Sequence, residues 1–600
     1  MSAPEGQPPP RPKFPVPRSA FGNARWLLRR LKRANPVEAR NVLIMLAGVM
    51  MVILLNTFGQ LQLNAWQGSF YNALEARETA AVVNQFALFV AIAGMLLVLV
   101  VAQAWLTEAM KVRARMWLTR HTLEIWLAPR RAYLLGFAGD IAQNPDQRIG
   151  QDANLLADSS IGFAIGLGQS SLLLVSFIGV LWTLSNQVVF TWHGSSFTIP
   201  GYMVWCALAF TAAGSSLTYL VGRPLIAFNA QRYSREGEFR SGLARVNDNA
   251  GVIALERGEA DEFSGAAESL NALTLTMQAL VNARARLTWV TSGYGWLGLV
   301  VPIIVAAPGY LAGNLNWGGL FMVIGGFNQV QNALRWFIDH YASITEWQAN
   351  LQRVAALLES LDQVDEAASD ISRIARRDGA PGEITLDNLA VCLPGDLSTC
   401  ILLGDRHLVI KSGERLRFLG ARGTGKTTLF MALAGLWPWG RGTIVAPSPF
   451  NALFLPERPY IPKGTLHEAV AYPLQPQAFG GGAMAAAMLK AGLGHLIPQI
   501  ELITGWVKDL PLGDQQRLSI ARLLLHRPEW AILDDCLSSL EESDAKVLFA
   551  MLLEQLPGTA FIATSHASGI DGFYQRTIEL GGVASLPPFT LVAGKATRNE

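Results

Sequence analysis

The chain has 600 residues, of which 51% are hydrophobic and only 16% charged, with a formal net charge of +2. So apolar a composition at that length excludes an ordinary water-soluble enzyme, and the near-neutral charge gives no bulk basic signal for a nucleic-acid partner. Four cysteines, Cys206, Cys392, Cys400 and Cys536, show no CxxC or paired spacing, and three of them fall in what reads as a cytosolic domain, so reduced thiols are the expectation.

The first segment, 1–40, opens on the proline-rich "MSAPEGQPPPRPKFPVPR", which is expected to be disordered and lacks the order of a signal peptide. "RWLLRRLKR" follows and reads as a cytosolic flank of a membrane span. A membrane helix needs roughly 20 mostly apolar residues. Segments 42–61, 81–106, 158–185, 200–222, 288–312 and 317–345 meet that requirement and place a membrane domain over 41–350. Lys and Arg crowd the connections 107–157 and 223–287 and almost vanish from the alternate ones, so both termini are expected on the cytoplasmic side. The charged stretch 236–262 and "NPDQRI" lie on the cytosolic connections and are candidate couplers, their charges expected to pair with an ATPase surface. The last span is the most polar. Asn328, Asn332, Arg335 and Asp339 are spaced four, three and four residues apart, hence on one helical face, and are expected to line a substrate cavity.

A charged linker over 351–380 leads into an α/β pattern over 381–590, with a short tail over 591–600. "GARGTGKT", residues 420–427, fits G-x-x-x-x-G-K-[ST] between a strand-like "RLRFL" and a helix-like "TLFMALAGL". Backbone N–H groups around Gly420, Gly423, Thr424, Gly425 and Thr428 are expected to cradle phosphates, Lys426 to reach the β and γ phosphates, and Thr427 to hold Mg²⁺. "WAILDD" is an apolar strand that ends in Asp534, a second expected metal ligand. "LGDQQRLSIARLLLHRP" precedes it, with Gly513 and Asp514 expected to meet nucleotide, and "ATSHAS" places His566 after a strand.

These four motifs, in this order, match an ATP-binding-cassette (ABC) ATPase. The stretches "QNPDQRIGQD", "IPGYMVW", "GRPLI", "EGEFRSGLARVNDNAGVIALERGEADE", "AAPGYLAG" and "LPERPYIPKGTLHEAVAYP" resemble the fused permease–ATPase half-transporters of the SbmA/BacA-like group, which are related to the peroxisomal acyl-CoA ABC transporters. The resemblance covers about 40–585 and implies a six-span, exporter-type membrane domain followed by an α/β nucleotide-binding domain. It implies ATP and Mg²⁺ as cofactors and an inner-membrane homodimer, with a heterodimer as the other arrangement. Members of the group are linked to peptides, bleomycin-like compounds and cobalamin, which leaves the transported solute open.

Against the family pattern the hydrolytic positions are altered. Pro511 stands for the signature Ser and has neither hydroxyl nor N–H. Asp535 stands for the Glu that positions the attacking water and is one methylene shorter, and Glu457 replaces the Q-loop Gln as a metal or water ligand. Binding parts are intact and hydrolytic parts modified, so slow turnover is expected. The competing function class is a proton-coupled carrier with a regulatory nucleotide domain, for which Asp339 is the candidate intramembrane acid.

Overall fold

The computed structural model describes residues 19–137, 144–192, 195–367, 373–393, 396–403, 405–421, 423–480, 482–503, 505–564 and 568–585. The proline-rich start, His566 and the tail 591–600 lie outside the described residues. The chain divides into two compact units. The described part of one takes in 19–126 and 144–359, and that of the other 127–137 and 360–585.

The first unit is helical. Helix α1 (Ala20–Ala34) is capped by Ser19, and Asn35 ends it while its side chain accepts from Glu38 N–H at 3.2 Å to start α2 (Pro36–Glu75). An Asn cap followed by proline at the first helical position is a strong start signal, because the prolyl nitrogen has no N–H to satisfy. Helix α3 (Thr79–Trp126) returns; α4 (Arg131–Leu135) belongs to the second unit. Helix α5 (Pro145–Gln147) passes through a π-helical turn, Arg148–Asp152, into α6 (Ala153–Ser185). A two-stranded hairpin, β1 (Phe190–Trp192) and β2 (Ser195–Phe197), precedes α7 (Tyr202–Asp248). The short α8 (Ala250–Glu256) joins α7 to α9 (Glu259–Leu311). Then come α10 (Trp317–Asp339) and α11 (Tyr341–Ala367), in which the boundary between the units falls.

Among the described residues five helical stretches, α2, α3, Pro145–Ser185, α7 and α9, are long and apolar enough to cross a membrane. Each expected span falls on one of these or on α10, but 317–345 is not one uninterrupted helix. It breaks at His340, where the ring Nδ1 (2.8 Å) and the backbone N–H (3.1 Å) both meet the Trp336 carbonyl. Helix α10 is the buried member of the bundle, with Val323, Phe327, Val330 and Ala333 packed on Phe177 and Leu181 of α6. It approaches α2 so closely that a Cβ at Gly318 would lie 2.0 Å from the Gly68 carbonyl oxygen. Small residues at such a contact let backbones meet where lipid offers no hydrophobic drive.

Two surface ion pairs form on and beside the charged stretch 236–262. Arg245 pairs with Glu262 at 3.1 Å, and Arg235 with Glu238 at 3.0 Å. Residues 245 and 262 face each other because α7 and α9 run side by side.

The second unit is built on a ten-stranded sheet. Its strands are β3 (Ala375–Asp378), β4 (Glu383–Leu393), β5 (Asp396–Leu403), β6 (His407–Lys411), β7 (Arg415–Leu419), β8 (Gly440–Ala446), β9 (Ala452–Leu455), β10 (Trp530–Asp534), β11 (Ala560–Thr564) and β12 (Arg576–Ser585). The order is β3-β8-β4-β5-β12-β7-β11-β10-β9, with β6 also paired to β4. Strands β12, β7, β11, β10 and β9 run parallel and β4 pairs antiparallel with β5, β6 and β8. Period two splits the parallel strands between two apolar layers. Trp530, Ile532, Ala560 and Ile562 face α12 (Lys426–Leu433), while Ala531, Leu533, Phe561 and Ala563 face the opposite layer. That layer holds α13 (Leu466–Ala471), α14 (Ala483–Lys490), α15 (Trp506–Asp509), α16 (Leu512–His526) and α17 (Glu542–Gln555). A parallel sheet covered on both faces explains why "WAILD" and "AFIAT" read as unbroken apolar runs.

The expectation of reduced thiols is corrected for one pair. Cys392 and Cys400 are register partners on β4 and β5, and antiparallel pairing brings their Cα atoms to 4.0 Å, where the sulfurs are bonded. Cys206 and Cys536 are free thiols.

Candidate nucleotide-binding site

The phosphate loop lies between β7 and α12. Gly425 sits at its end with φ +85°, and a Cβ there would come 2.0 Å from Ile401 Cδ1, so only glycine fits both the backbone and the space. Lys426 is buried, and its Nζ donates to the carbonyls of Gly420 (2.6 Å) and Ala421 (3.1 Å). Thr424 Oγ1 donates to Ala421 O at 2.9 Å and closes the loop on itself. The amides that start α12 have no partner within the helix, and the helix dipole adds partial positive charge, so an anion is favoured there.

A cavity of about 890 Å³ opens at this loop. Gly423, Thr424, Gly425, Lys426, Thr427 and Thr428 line it from one side, and Asp534, Asp535 and Glu457 from the other. The structure thus gathers the expected phosphate cradle and all three expected acids. Strand order explains the meeting: β7, β11, β10 and β9 are neighbours, so their carboxyl ends open at one edge. Gly420 supplies a carbonyl to Lys426. Gly513 and Asp514 do not line this cavity. They lie in the first turn of α16, where Asp514 faces His495 at 3.7 Å.

Three residues escape sequence reading. Thr564 Oγ1 donates to Asp534 Oδ1 at 2.7 Å, which orients the carboxylate. Gln516 Nε2 donates to the Glu457 carbonyl (3.0 Å) and Ser538 Oγ (3.3 Å), while its Oε1 accepts from Ser539 N–H (3.1 Å). Gln516 is fully buried and ties α16, the Glu457 turn and the turn after Asp535 into one piece. Cys536 is also buried at the cavity floor. Burial, then the charges of Asp535 and Asp534, pushes its thiol up to about 12. The one signal available for Thr564 was its place at the end of an apolar strand two residues before His566.

Asp535 adopts φ 47°, a left-handed conformation, and its N–H bonds the Thr564 carbonyl at 3.2 Å. Thr427, Asp534 and Glu457 offer hard oxygen donors around one space, as Mg²⁺ prefers when phosphate oxygens and water complete its shell. Pro511 caps α16 without a side-chain hydrogen bond.

In the membrane unit, Arg335 Nε and Asp339 pair at 3.3 Å, with Thr211, Ser215, Thr218, Thr291 and Tyr294 around them. The space there is only about 10 Å³, about one water's worth. Asn328 is half-buried and Asn332 exposed on the same helix.

A membrane-spanning helical unit fused to an α/β unit with this phosphate cradle defines a transporter half driven by a nucleotide-binding domain. The chain belongs to the ABC transporter family. Residues 35–311 match the family described as ABC transporter transmembrane region 2, and 403–538 match the one described as ABC transporter. It is 31% identical to an uncharacterized ABC transporter ATP-binding protein of Synechocystis over 80% of this chain and 72% of that one. It is 29% identical to the inner membrane ABC transporter ATP-binding protein YddA of Escherichia coli over 90% of this chain and 93% of that protein. It is 26% identical to the human lysosomal cobalamin transporter ABCD4 over 78% and 79%. A bacterial Atm1-family ABC exporter solved with ATP bound shares the fold, with TM-score 0.68 at 16% identity, over 92% of this chain and 96% of that one. The protein is therefore a multi-pass membrane ABC half-transporter with an ATP-binding domain, an ATPase coupled to translocation.

Proposed function

We propose that the chain works as a homodimer in a bacterial inner membrane, with both termini cytoplasmic, and moves a peptide-like, amphipathic or cobalamin-like solute on ATP binding with slow hydrolysis. The observation that carries the reading is the contrast between the phosphate cradle and the hydrolytic positions. The cradle of Gly423–Thr428 is complete, while Asp535 replaces the longer carboxylate and α16 begins on Pro511. Lys426 and the loop amides hold phosphate, Thr427 and Asp534 hold Mg²⁺ with Glu457 beside them, and Asp535 orients water. Bound Mg²⁺ neutralises charge on the phosphate oxygens. His566 senses the terminal phosphate. Gly513 and Asp514, away from this cavity, serve the second copy's nucleotide. The inner membrane rests on the name of YddA, the cobalamin-like solute on the name of ABCD4, and the peptide-like or amphipathic solute on Asn328, Asn332, Arg335 and Asp339 as a polar stripe on α10.

The test is ATP hydrolysis and solute flux by the purified chain in lipid vesicles. Slow, vanadate-sensitive turnover with ATP-dependent flux supports the reading. Flux that persists without ATP but stops without a proton gradient replaces it with a carrier that acts through Asp339. Turnover of several ATP per second removes the claim of slow hydrolysis.

A further inference from the structure

Helix α1 contains five cations, Arg25, Arg29, Arg30, Lys32 and Arg33, and no acid. Leu27 and Leu31 are buried against Leu118, Ala153, Leu156, Leu351, Val354 and Leu358, so one stripe is committed to the bundle and fixes the helix's rotation. At 100° per residue the opposite side carries Arg25, Arg29, Lys32 and Arg33, all exposed. Along its edge Phe21 and Leu28 are 85% and 61% exposed. The other edge carries Trp26, with the Arg30 guanidinium over its ring at 5.4 Å. A concavity of about 510 Å³ lies along this face, lined by Gly22, Arg25, Trp26, Arg29, Arg30 and Arg33.

We propose that this face is a binding site for anionic phospholipid, with the phosphodiester headgroup held in the arginine concavity and the acyl chains beside Phe21 and Leu28. The geometry supplies both halves of a lipid. Guanidinium forks match phosphate oxygens bidentately, and bare apolar side chains beside them match hydrocarbon. Trp26 lines the concavity from the opposite edge, an amphipathic ring of the kind that gathers at a membrane surface. Position supports the choice. Asn35 alone separates α1 from α2, the first span, so α1 is tied to the level at which the chain enters lipid. A zwitterionic headgroup supplies no net charge to balance the exposed Arg25, Arg29, Lys32 and Arg33. A solvated basic helix does not explain why Phe21 and Leu28 share the exposed face.

The experiment compares full-length protein in nanodiscs of phosphatidylcholine alone and of phosphatidylcholine with phosphatidylglycerol. The readouts are the lipid retained by native mass spectrometry after delipidation and the thermal midpoint. The expected result is selective retention of phosphatidylglycerol and a higher midpoint in its presence, both weakened by added salt. In the triple variant R25Q/R29Q/R33Q, preference for phosphatidylglycerol should fall roughly fivefold for each charge removed. The triple lysine variant R25K/R29K/R33K keeps the charge but loses the forks and should keep more of the preference than the glutamine variant, which separates headgroup binding from a folding defect. Equal retention of the two lipids by the wild-type chain overturns the proposal. So does an equal rise in midpoint with inorganic phosphate in detergent, which would reassign the concavity to a soluble anion.

Discussion

At the scale of single residues, Lys426 is the side-chain cation of the phosphate cradle, and its Nζ now rests on two loop carbonyls. A charge-assisted hydrogen bond contributes about 1.5–3 kcal/mol, so Lys426→Ala should weaken ATP binding by roughly 10–100-fold, measured with a fluorescent nucleotide. Unchanged affinity would remove Lys426 from the site. Pro511 and Asp535 concern hydrolysis. Ser at position 511 would cap α16 and offer a hydroxyl at its start, and Glu at 535 would extend the carboxylate by one methylene. A misplacement of about 1 Å can cost on the order of 10²-fold in rate, so P511S/D535E should raise turnover at least ~10-fold in vesicles. A slower double variant would mean that the altered residues are tuned to each other. Beside them, the Cys536 thiol is buried and pushed up to about 12. It should stay protonated at neutral pH and unreactive to iodoacetamide in the folded chain, read by peptide mass mapping; labelling without denaturant would show that the cavity floor opens.

At the scale of elements, the π-helical turn Arg148–Asp152 is pinned to α11 by a bidentate contact. Arg353 donates to Asp152 at 2.6 and 3.1 Å and also meets Asn350, while the Asp152 side chain is 4% exposed. Removing one partner of a fully buried pair costs about 3–5 kcal/mol. Arg353 is half exposed, so R353A should cost nearer ~2 kcal/mol and lower the thermal midpoint, with D152N/R353A recovering part of the loss. A midpoint equal to wild type would make the contact incidental. This pair shows where sequence reading stops. "QNPDQRIGQD" was recognisable as a unit, yet a contact across about two hundred positions has no local signature. The phosphate loop was legible because its chemistry needs contiguous residues in a fixed spacing, and the spans because lipid demands unbroken apolar runs. Thr564 was not, since its bond to Asp534 depends on strand register, and register depends on how β10 and β11 pack together. The Cys392–Cys400 bond was hidden for the same reason, as an eight-residue separation becomes a pair only once the β4–β5 hairpin forms.

At the scale of the whole molecule, helix length exceeds what a bilayer needs. Helix α9 has 53 residues and α7 has 47. At 1.5 Å per residue the longer one runs about 80 Å. The hydrocarbon core is only about 30 Å thick, so well over half of α9 lies outside it. The excess is charged at the 236–262 end, where Arg245 and Glu262 pair on the surface. At the other end the chain turns through the small β1–β2 hairpin, in a connection without Lys or Arg. Positive charge is retained on the cytoplasmic side during insertion, so the proposed orientation has the charged extensions there and the hairpin outside. That proposed orientation sets the side on which ATP must be supplied. In a chain whose native cysteines are replaced by alanine, a cysteine at Ser195 should react with an impermeant maleimide in intact spheroplasts. One at Ser241, exposed on the α7 extension, should react only after permeabilisation. The reverse pattern would place the nucleotide domain on the outer face, away from cellular ATP, and the transport proposal could not stand with it.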